Sequence, residues 1–218
     1  MERLTVALPK GRMQKDVLAL FEEAGYPANS PNSRRLILND TRGIFRFLLA
    51  KPFDVPTYVE HGAAALGVAG EDVLRENECD IYEPLGLDIG KCRLVLAGPP
   101  EARERDLRTE INLRVASKYP RQARAYFQER GLSAEVISLS GSVELAPAVG
   151  LADLIVDLVQ TGRTLRENGL IELETIRDSQ AMLVVNRASH KLYFRAIQEI
   201  IQNLSDAVAG RKEREMVR

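Results

Sequence analysis

The chain has 218 residues, 45% of them apolar and 28% charged, and its 30 Lys plus Arg nearly cancel its 31 Asp plus Glu to leave a net charge of -1. A chain of this length buries a core of one to two domains without staples; its composition excludes disorder and its charge excludes a strongly basic nucleic-acid binder. Two cysteines, Cys79 and Cys92, are too few for a disulfide framework or a four-ligand zinc site, no run approaches the ~18 apolar residues of a membrane span, and Met1 to Pro9 lacks a secretion signal, so a soluble, unprocessed cytoplasmic protein is expected.

In chain order, Leu4 to Leu8 is a short apolar run closed by Pro9 and Gly11. Met13, Val17, Leu20, Phe21 and Ala24 then fall at helical spacing before Gly25. The alternation recurs with Ile44 to Leu49 as strand, Val55 to Glu60 as a short helix with Pro56 in its first turn, Leu66 to Ala69 as strand and a helix opening at Asp72 to Arg75. Cys92 to Ala97 predicts a strand, and the charge-dense Glu101 to Glu110 a surface turn or loose helix. A second run follows: strand Ile111 to Ala116, helix Tyr119 to Arg130, strand Ala134 to Leu139, helix Ser142 to Val149, strand Leu154 to Leu158 and a helix from about Thr161. Ala181 to Val185 predicts one more strand, and Tyr193, Ile197, Ile200, Ile201, Leu204 and Val208 line one face of a last helix before a polar tail expected to fray.

Short strands alternating with helices predict an α/β protein of two lobes, each a mostly parallel sheet flanked by helices. Residues 1–90 with 181–210 form lobe I in this reading, 91–180 form lobe II, and 211–218 are the tail. A ligand would sit in the cleft between lobes.

The most informative stretch is DLIVDLVQTGRTL, Asp153 to Leu165: an apolar strand, the acidic Asp157 at its carboxyl end, and a Thr161-Gly162-Arg163-Thr164 turn into a helix. Ligands of open parallel sheets bind beyond the carboxyl ends of strands, and a helix start offers backbone N–H groups and a positive dipole end to a phosphate. Thr161 and Thr164 add hydroxyl donors and Gly162 permits close approach. Asp157 suits sugar hydroxyls rather than the phosphate, which it would repel, so the set fits a ribose 5-phosphate. An ordinary helix cap by Thr161 is the competing reading. Lys10, Gly11 and Arg12 follow the first strand and suit a polyphosphate, or are solvated charges at a turn; Glu71 and Asp72, after Gly70, taken by themselves read as offsetting a helix dipole. No GxxxxGK or GxGxxG loop supports triphosphate hydrolysis or Rossmann dinucleotide binding.

Four segments together resemble one family. ALPKGR at Ala7 to Arg12, KPFDVPTYVEHGAAALGVAGEDVL at Lys51 to Leu74, LDIGKC at Leu87 to Cys92 and ELAPAVGLADLIVDLVQTGRTL at Glu144 to Leu165 are similar to the ATP phosphoribosyltransferases, which open histidine biosynthesis. The resemblance runs from residue 4 to about residue 207. It implies a fold of the two-lobed type II periplasmic-binding-protein kind, and a reaction in which N1 of ATP takes the 5-phosphoribosyl group of phosphoribosyl pyrophosphate, with Mg²⁺ present and no protein nucleophile.

By the same resemblance, Asp157, Leu158, Val159, Gln160, Thr161, Gly162, Arg163 and Thr164 would bind phosphoribosyl pyrophosphate. Lys10, Gly11, Arg12, Lys51, Gly70, Glu71, Asp72 and Glu144 would face ATP or pyrophosphate, with Mg²⁺ held mainly by pyrophosphate oxygens. Lys51 stands where many relatives carry Arg, and Ala65 where an Asp is common. Leaving the family pattern near Ala207, the chain resembles the short form, which works in a hetero-oligomer with a regulatory subunit resembling the core of histidyl-tRNA synthetase. Alone it would be a homo-oligomer, with no nucleic-acid or membrane partner. Rival readings are another phosphoribosyltransferase, whose motif usually carries two adjacent acidic residues where only Asp157 stands here, and a two-lobed cytosolic solute-binding protein.

Overall fold

Leu4, Val6 and Leu8 alternate with Thr5, Ala7 and Pro9, so the first strand, β1 (Leu4–Pro9), carries large apolar side chains on one face and small ones on the other. The computed structural model describes residues 3–29 and 35–216. Its chain divides into two compact units, one from the N-terminal part to Gly90 together with Gln180 onward, the other Lys91–Ser179.

In the first unit the elements are β1, α1 (Gln14–Glu23), β2 (Ile37–Asn39), β3 (Phe45–Ala50), α2 (Val55–Glu60), β4 (Leu66–Gly70), α3 (Glu71–Asn77) and β5 (Tyr82–Gly86). After the second unit come β11 (Ala181–Val185), α7 (Arg187–Leu192) and α8 (Phe194–Met216). The sheet order is β2-β3-β1-β4-β11-β5. Leu4, Val6 and Leu8 pair in register with Phe45, Phe47 and Leu49. That face is covered by Val17, Leu20 and Phe21 of α1 and by Ile197, Ile200 and Leu204 of α8. On the other face Ala7, Ala69 and Val184 receive Val55 and Val59 of α2. Gly67 makes that approach possible, because a Cβ there would lie 2.7 Å from Val59 Cγ2 and 3.1 Å from the Ala7 carbonyl oxygen.

Phe21 anchors the larger core, edge-on to Phe47 at 5.5 Å and to Phe45 at 6.2 Å between ring centroids. Deleting a fully buried ring from such a cluster costs about 3–5 kcal/mol. Phe21→Ala is therefore expected to lower the melting temperature of this unit by about 10 °C in scanning calorimetry, at about 2–4 °C per kcal/mol.

The second unit holds β6 (Cys92–Gly98), β7 (Leu113–Ser117), α4 (Pro120–Glu129), β8 (Ala134–Ser138), α5 (Leu145–Ala148), β9 (Leu154–Val159), α6 (Arg163–Glu167) and β10 (Ile171–Ser179). Its sheet order is β10-β6-β9-β7-β8. Val95, Ala97, Ala116, Ile155 and Val159 meet Val143, Ala146 and Leu165 on one face; α4 buries Ala123, Tyr126 and Phe127.

Several expectations need correction. Both sheets are mixed rather than mostly parallel. β1 is parallel to β3 and β4, and β7 to β8 and β9, but β2, β5, β6, β10 and β11 all pair antiparallel. The reason is topological: β10 and β11 are consecutive strands in different sheets, so the returning chain enters the first sheet against β4. Ile111 lies outside β7, highly exposed before Asn112 at φ 63°. The helix expected from Ser142 shrinks to α5, and α6 starts at Arg163. The polar tail does not fray at residue 211: α8 runs to Met216, and Arg211 and Arg214 both hold Glu23 of α1 at 2.8–3.0 Å.

Candidate active site

Both sheets place their parallel strands around a central one, and in each the chain crosses from one side of that strand to the other. In the first unit β1 lies between β3 and β4; in the second β7 lies between β8 and β9. Carboxyl ends of strands at such a switch point diverge and leave room for a ligand. The residues singled out from the sequence gather at these ends.

At the first switch point the Lys10 amide donates to the Ala50 carbonyl at 2.7 Å, which fixes the exit of β1 beside the exit of β3 and so sets Lys10 near Lys51. Both side chains are exposed, as is Arg12. β1 and β4 align Ala7 with Gly67, and continuing that register brings Lys10 level with Gly70. A Cβ on Gly70 would collide with the Asp72 carboxylate, which is buried and folds back over this glycine. A side chain at Gly70 would therefore displace the Asp72 carboxylate, whereas its dihedral angles, φ -70° and ψ 145°, are open to any residue. Three cations and an acidic turn thus share one end of one sheet.

In the second unit Asp157 sits on the same face of β9 as Ile155 and Val159, whose side chains are buried in an apolar cluster. Burial in these surroundings pushes its carboxyl up to about 6. The Leu158 amide donates to Asp157 Oδ1 at 2.8 Å and acts the other way, Glu144 raises the value further, and Lys118 lowers it. Glu144 and Asp157, thirteen positions apart in the sequence, are brought into one electrostatic group. A carboxylate with spare lone pairs in a half-buried polar corner can accept hydroxyl donors while excluding much of the water.

The turn after β9 is reached through Leu158, Val159 and Gln160, and Gly162 caps α6 with φ 70°, a left-handed conformation that suits glycine. Thr161 Oγ1 accepts the Arg163 amide only at a long 3.5 Å, so it is a weak cap and its hydroxyl is not consumed by the helix. Thr164 is exposed on the first turn. With five residues, α6 has little dipole of its own, so local amides and hydroxyls carry this corner. The loop's cations are both engaged: Arg163 pairs with Glu167 at 2.7 Å, and Arg166 folds back over the turn to donate to the Thr161 carbonyl at 3.2 Å.

Lys118 was the cation not foreseen as a site residue. Its signal is positional, since it stands just past a predicted strand and directly before the Tyr119-Pro120 helix start. Tyr119 beside it is buried and caps α4. His61 is exposed, and both cysteines are free thiols; burial and Glu60 push Cys79 up to about 11, which makes it unreactive at neutral pH.

A family model described as ATP phosphoribosyltransferase matches residues 51–206. The chain belongs to the ATP phosphoribosyltransferase family. An ATP phosphoribosyltransferase of Thermoanaerobacter sp. strain X514 is 51% identical over 215 residues, 98% of this chain and 100% of the relative. Another, from Halalkalibacterium halodurans, is 50% identical over 96% of this chain and 99% of its own length. Among solved structures, the ATP phosphoribosyl transferase (HisG:HisZ) complex from Thermotoga maritima aligns with TM-score 0.82 and 34% identity, covering 95% of this chain and 99% of the matched one. The periplasmic aliphatic sulphonate-binding protein SsuA of Escherichia coli aligns with TM-score 0.62 at 13% identity over 99% of this chain and 72% of its own. At that identity the likeness shows the fold alone, the two-lobed periplasmic-binding-protein type.

Proposed function

We propose that the chain transfers the 5-phosphoribosyl group of phosphoribosyl pyrophosphate to N1 of ATP, the opening step of histidine biosynthesis, in the cytoplasm. The observation that carries this reading is the near full-length identity of about 50% to ATP phosphoribosyltransferases. In this reaction the bond from C1 to the pyrophosphate oxygen breaks and pyrophosphate leaves with the electron pair. The adenine N1–C1 bond forms on the opposite face, inverting the carbon. No protein nucleophile takes part, so the protein acts by positioning two anionic substrates and stabilising the charge that moves onto the leaving group.

Asp157 accepts the ribose hydroxyls in this reading. Thr161, Gly162, Arg163 and Thr164 surround the 5-phosphate, with Leu158, Val159 and Gln160 forming the wall that leads to them. Lys10, Arg12 and Lys51 face the polyphosphates beside Gly11 and the Gly70-Glu71-Asp72 turn, and Glu144 lines the sugar end. Lys51 supplies a point charge in place of a guanidinium fork. Among the described residues no group of three or more His, Cys, Asp or Glu side chains could hold a metal ion. These residues do not fit a resident metal cage, so Mg²⁺ is assigned here to the substrate, arriving on the pyrophosphate oxygens and screening their charge.

The HisG:HisZ complex among the structural neighbours favours a hetero-oligomer. In it a regulatory subunit, resembling the core of histidyl-tRNA synthetase, would supply histidine sensing and full activity. The test is to incubate purified protein with ATP, phosphoribosyl pyrophosphate and Mg²⁺ and to follow phosphoribosyl-ATP by ultraviolet absorbance and mass. The chain alone is expected to run as a homo-oligomer with weak or no turnover, and without inhibition across a histidine titration. Adding the regulatory partner is expected to raise turnover and confer histidine inhibition. Failure to form phosphoribosyl-ATP even with the partner would overturn the assignment.

A further inference from the structure

Lys118 leaves β7 at the point where β7 and β9 run side by side. The parallel register pairs Ser117 with Val156, so the next residues, Lys118 and Asp157, leave that pair level with one another. A buried hydroxyl fixes the corner: Ser117 Oγ donates to the Val156 carbonyl at 2.7 Å and accepts the Tyr119 amide at 2.8 Å. Lys118 is thus held between two backbone anchors.

Among the described residues, the other groups packed around Asp157 do not supply a cation. On β6, the residue directly opposite is Val95, which is fully buried, and the nearby Arg93 is committed to Glu172 at 2.7–2.8 Å. From the segment before α5 comes Glu144, a second negative charge. Arg163 and Arg166 of α6 are engaged with Glu167 and the Thr161 carbonyl. Asp157 therefore faces burial and a like charge, and Lys118 is the cation that opposes both.

We propose that Lys118 is a positioning residue of the phosphoribosyl site, its ammonium acting on Asp157 to keep the carboxylate ionised and able to accept the ribose hydroxyls. The inference rests on the phosphoribosyl reading of the β9–α6 turn. It assigns a role to a residue that lies outside that turn in sequence.

The experiment pairs a titration with kinetics. The Asp157 carboxyl is followed by carbon-13 NMR in the free, full-length protein, assigned by its loss in Asp157→Asn, and the pH profile of kcat/KM for phosphoribosyl pyrophosphate is measured with the regulatory partner present. In Lys118→Met the Asp157 midpoint and the acidic limb are both expected to move upward by about one pH unit, a loss of about five-fold at pH 6 that nearly vanishes at pH 8. Lys118→Arg, which keeps the charge, is expected to restore both. An unmoved Asp157 midpoint in Lys118→Met would overturn the proposal, as would an equal loss at every pH that Lys118→Arg fails to rescue. Should the midpoint move while Asp157→Asn leaves the kinetics normal, the action of Lys118 on Asp157 stands and the ribose assignment of Asp157 falls.

Discussion

Asp157→Asn is expected to lower kcat/KM for phosphoribosyl pyrophosphate by about 10²-fold while raising the melting temperature of the free protein above pH 6. The first effect follows from hydrogen bonds to a charged acceptor, worth about 1.5–3 kcal/mol each, which an amide oxygen accepts less strongly and an amide nitrogen not at all. The second follows from linkage. The carboxyl rises in the folded protein from its ordinary 3.8 to about 6, so its ionisation costs stability. That cost is absent below about pH 4, where the group is protonated in folded and unfolded chains alike. It grows between 4 and 6 and is complete above 6. Taken whole, the rise corresponds to about 3 kcal/mol, and partial solvent access reduces it to nearer 1 kcal/mol. Asn keeps the shape and the acceptor for the Leu158 amide without the charge. The gain is then about 2–4 °C at pH 8 and none at pH 4. Melting curves at the two pH values check this; equal shifts at both would place the effect in packing rather than in charge.

The double variant Thr161→Ala, Thr164→Ala is expected to cost about 10²-fold or more in kcat/KM for phosphoribosyl pyrophosphate, in line with the loss of oriented donors at an anion site. Its fold is expected to survive. Thr161 is a poor cap at 3.5 Å, Thr164 is exposed, and the turn is set instead by Gly162 and by Leu165 packing into the core. Steady-state kinetics with each substrate varied in turn read the outcome. A double variant with unchanged kinetics would remove the 5-phosphate from this turn.

The sequence reading succeeded where one physical constraint dominated. β1, β4 and β9 are central strands, largely buried on both faces, and their short apolar runs could be read with no tertiary knowledge. Of the edge strands, β8 was legible and β2, β5 and β10 escaped it. β10, with the sequence IELETIRDS, alternates plainly at first, but two register shifts against β6 break the period, and its charges face solvent or paired cations. β5 carries Pro84 and β2 has only three residues, features that mark edges and weaken any strand signal. The tail looked unstructured because its order rests on Glu23, which lies far away in the chain. The site residues were legible as motifs, but the coupling of Lys118 and Glu144 to Asp157 was not. It depends on β7 lying next to β9, and strand order is a property of topology that no local pattern encodes.

Hydrogen exchange with and without phosphoribosyl pyrophosphate tests the central claim, that the turn following β9 holds the phosphoribosyl group. Peptides covering 157–164 are expected to gain protection when the substrate and Mg²⁺ are added to the wild-type protein, and to gain none in the Thr161→Ala, Thr164→Ala variant at the same concentration. Protection confined to other segments, with residues 157–164 exchanging as in the free protein, would contradict the account.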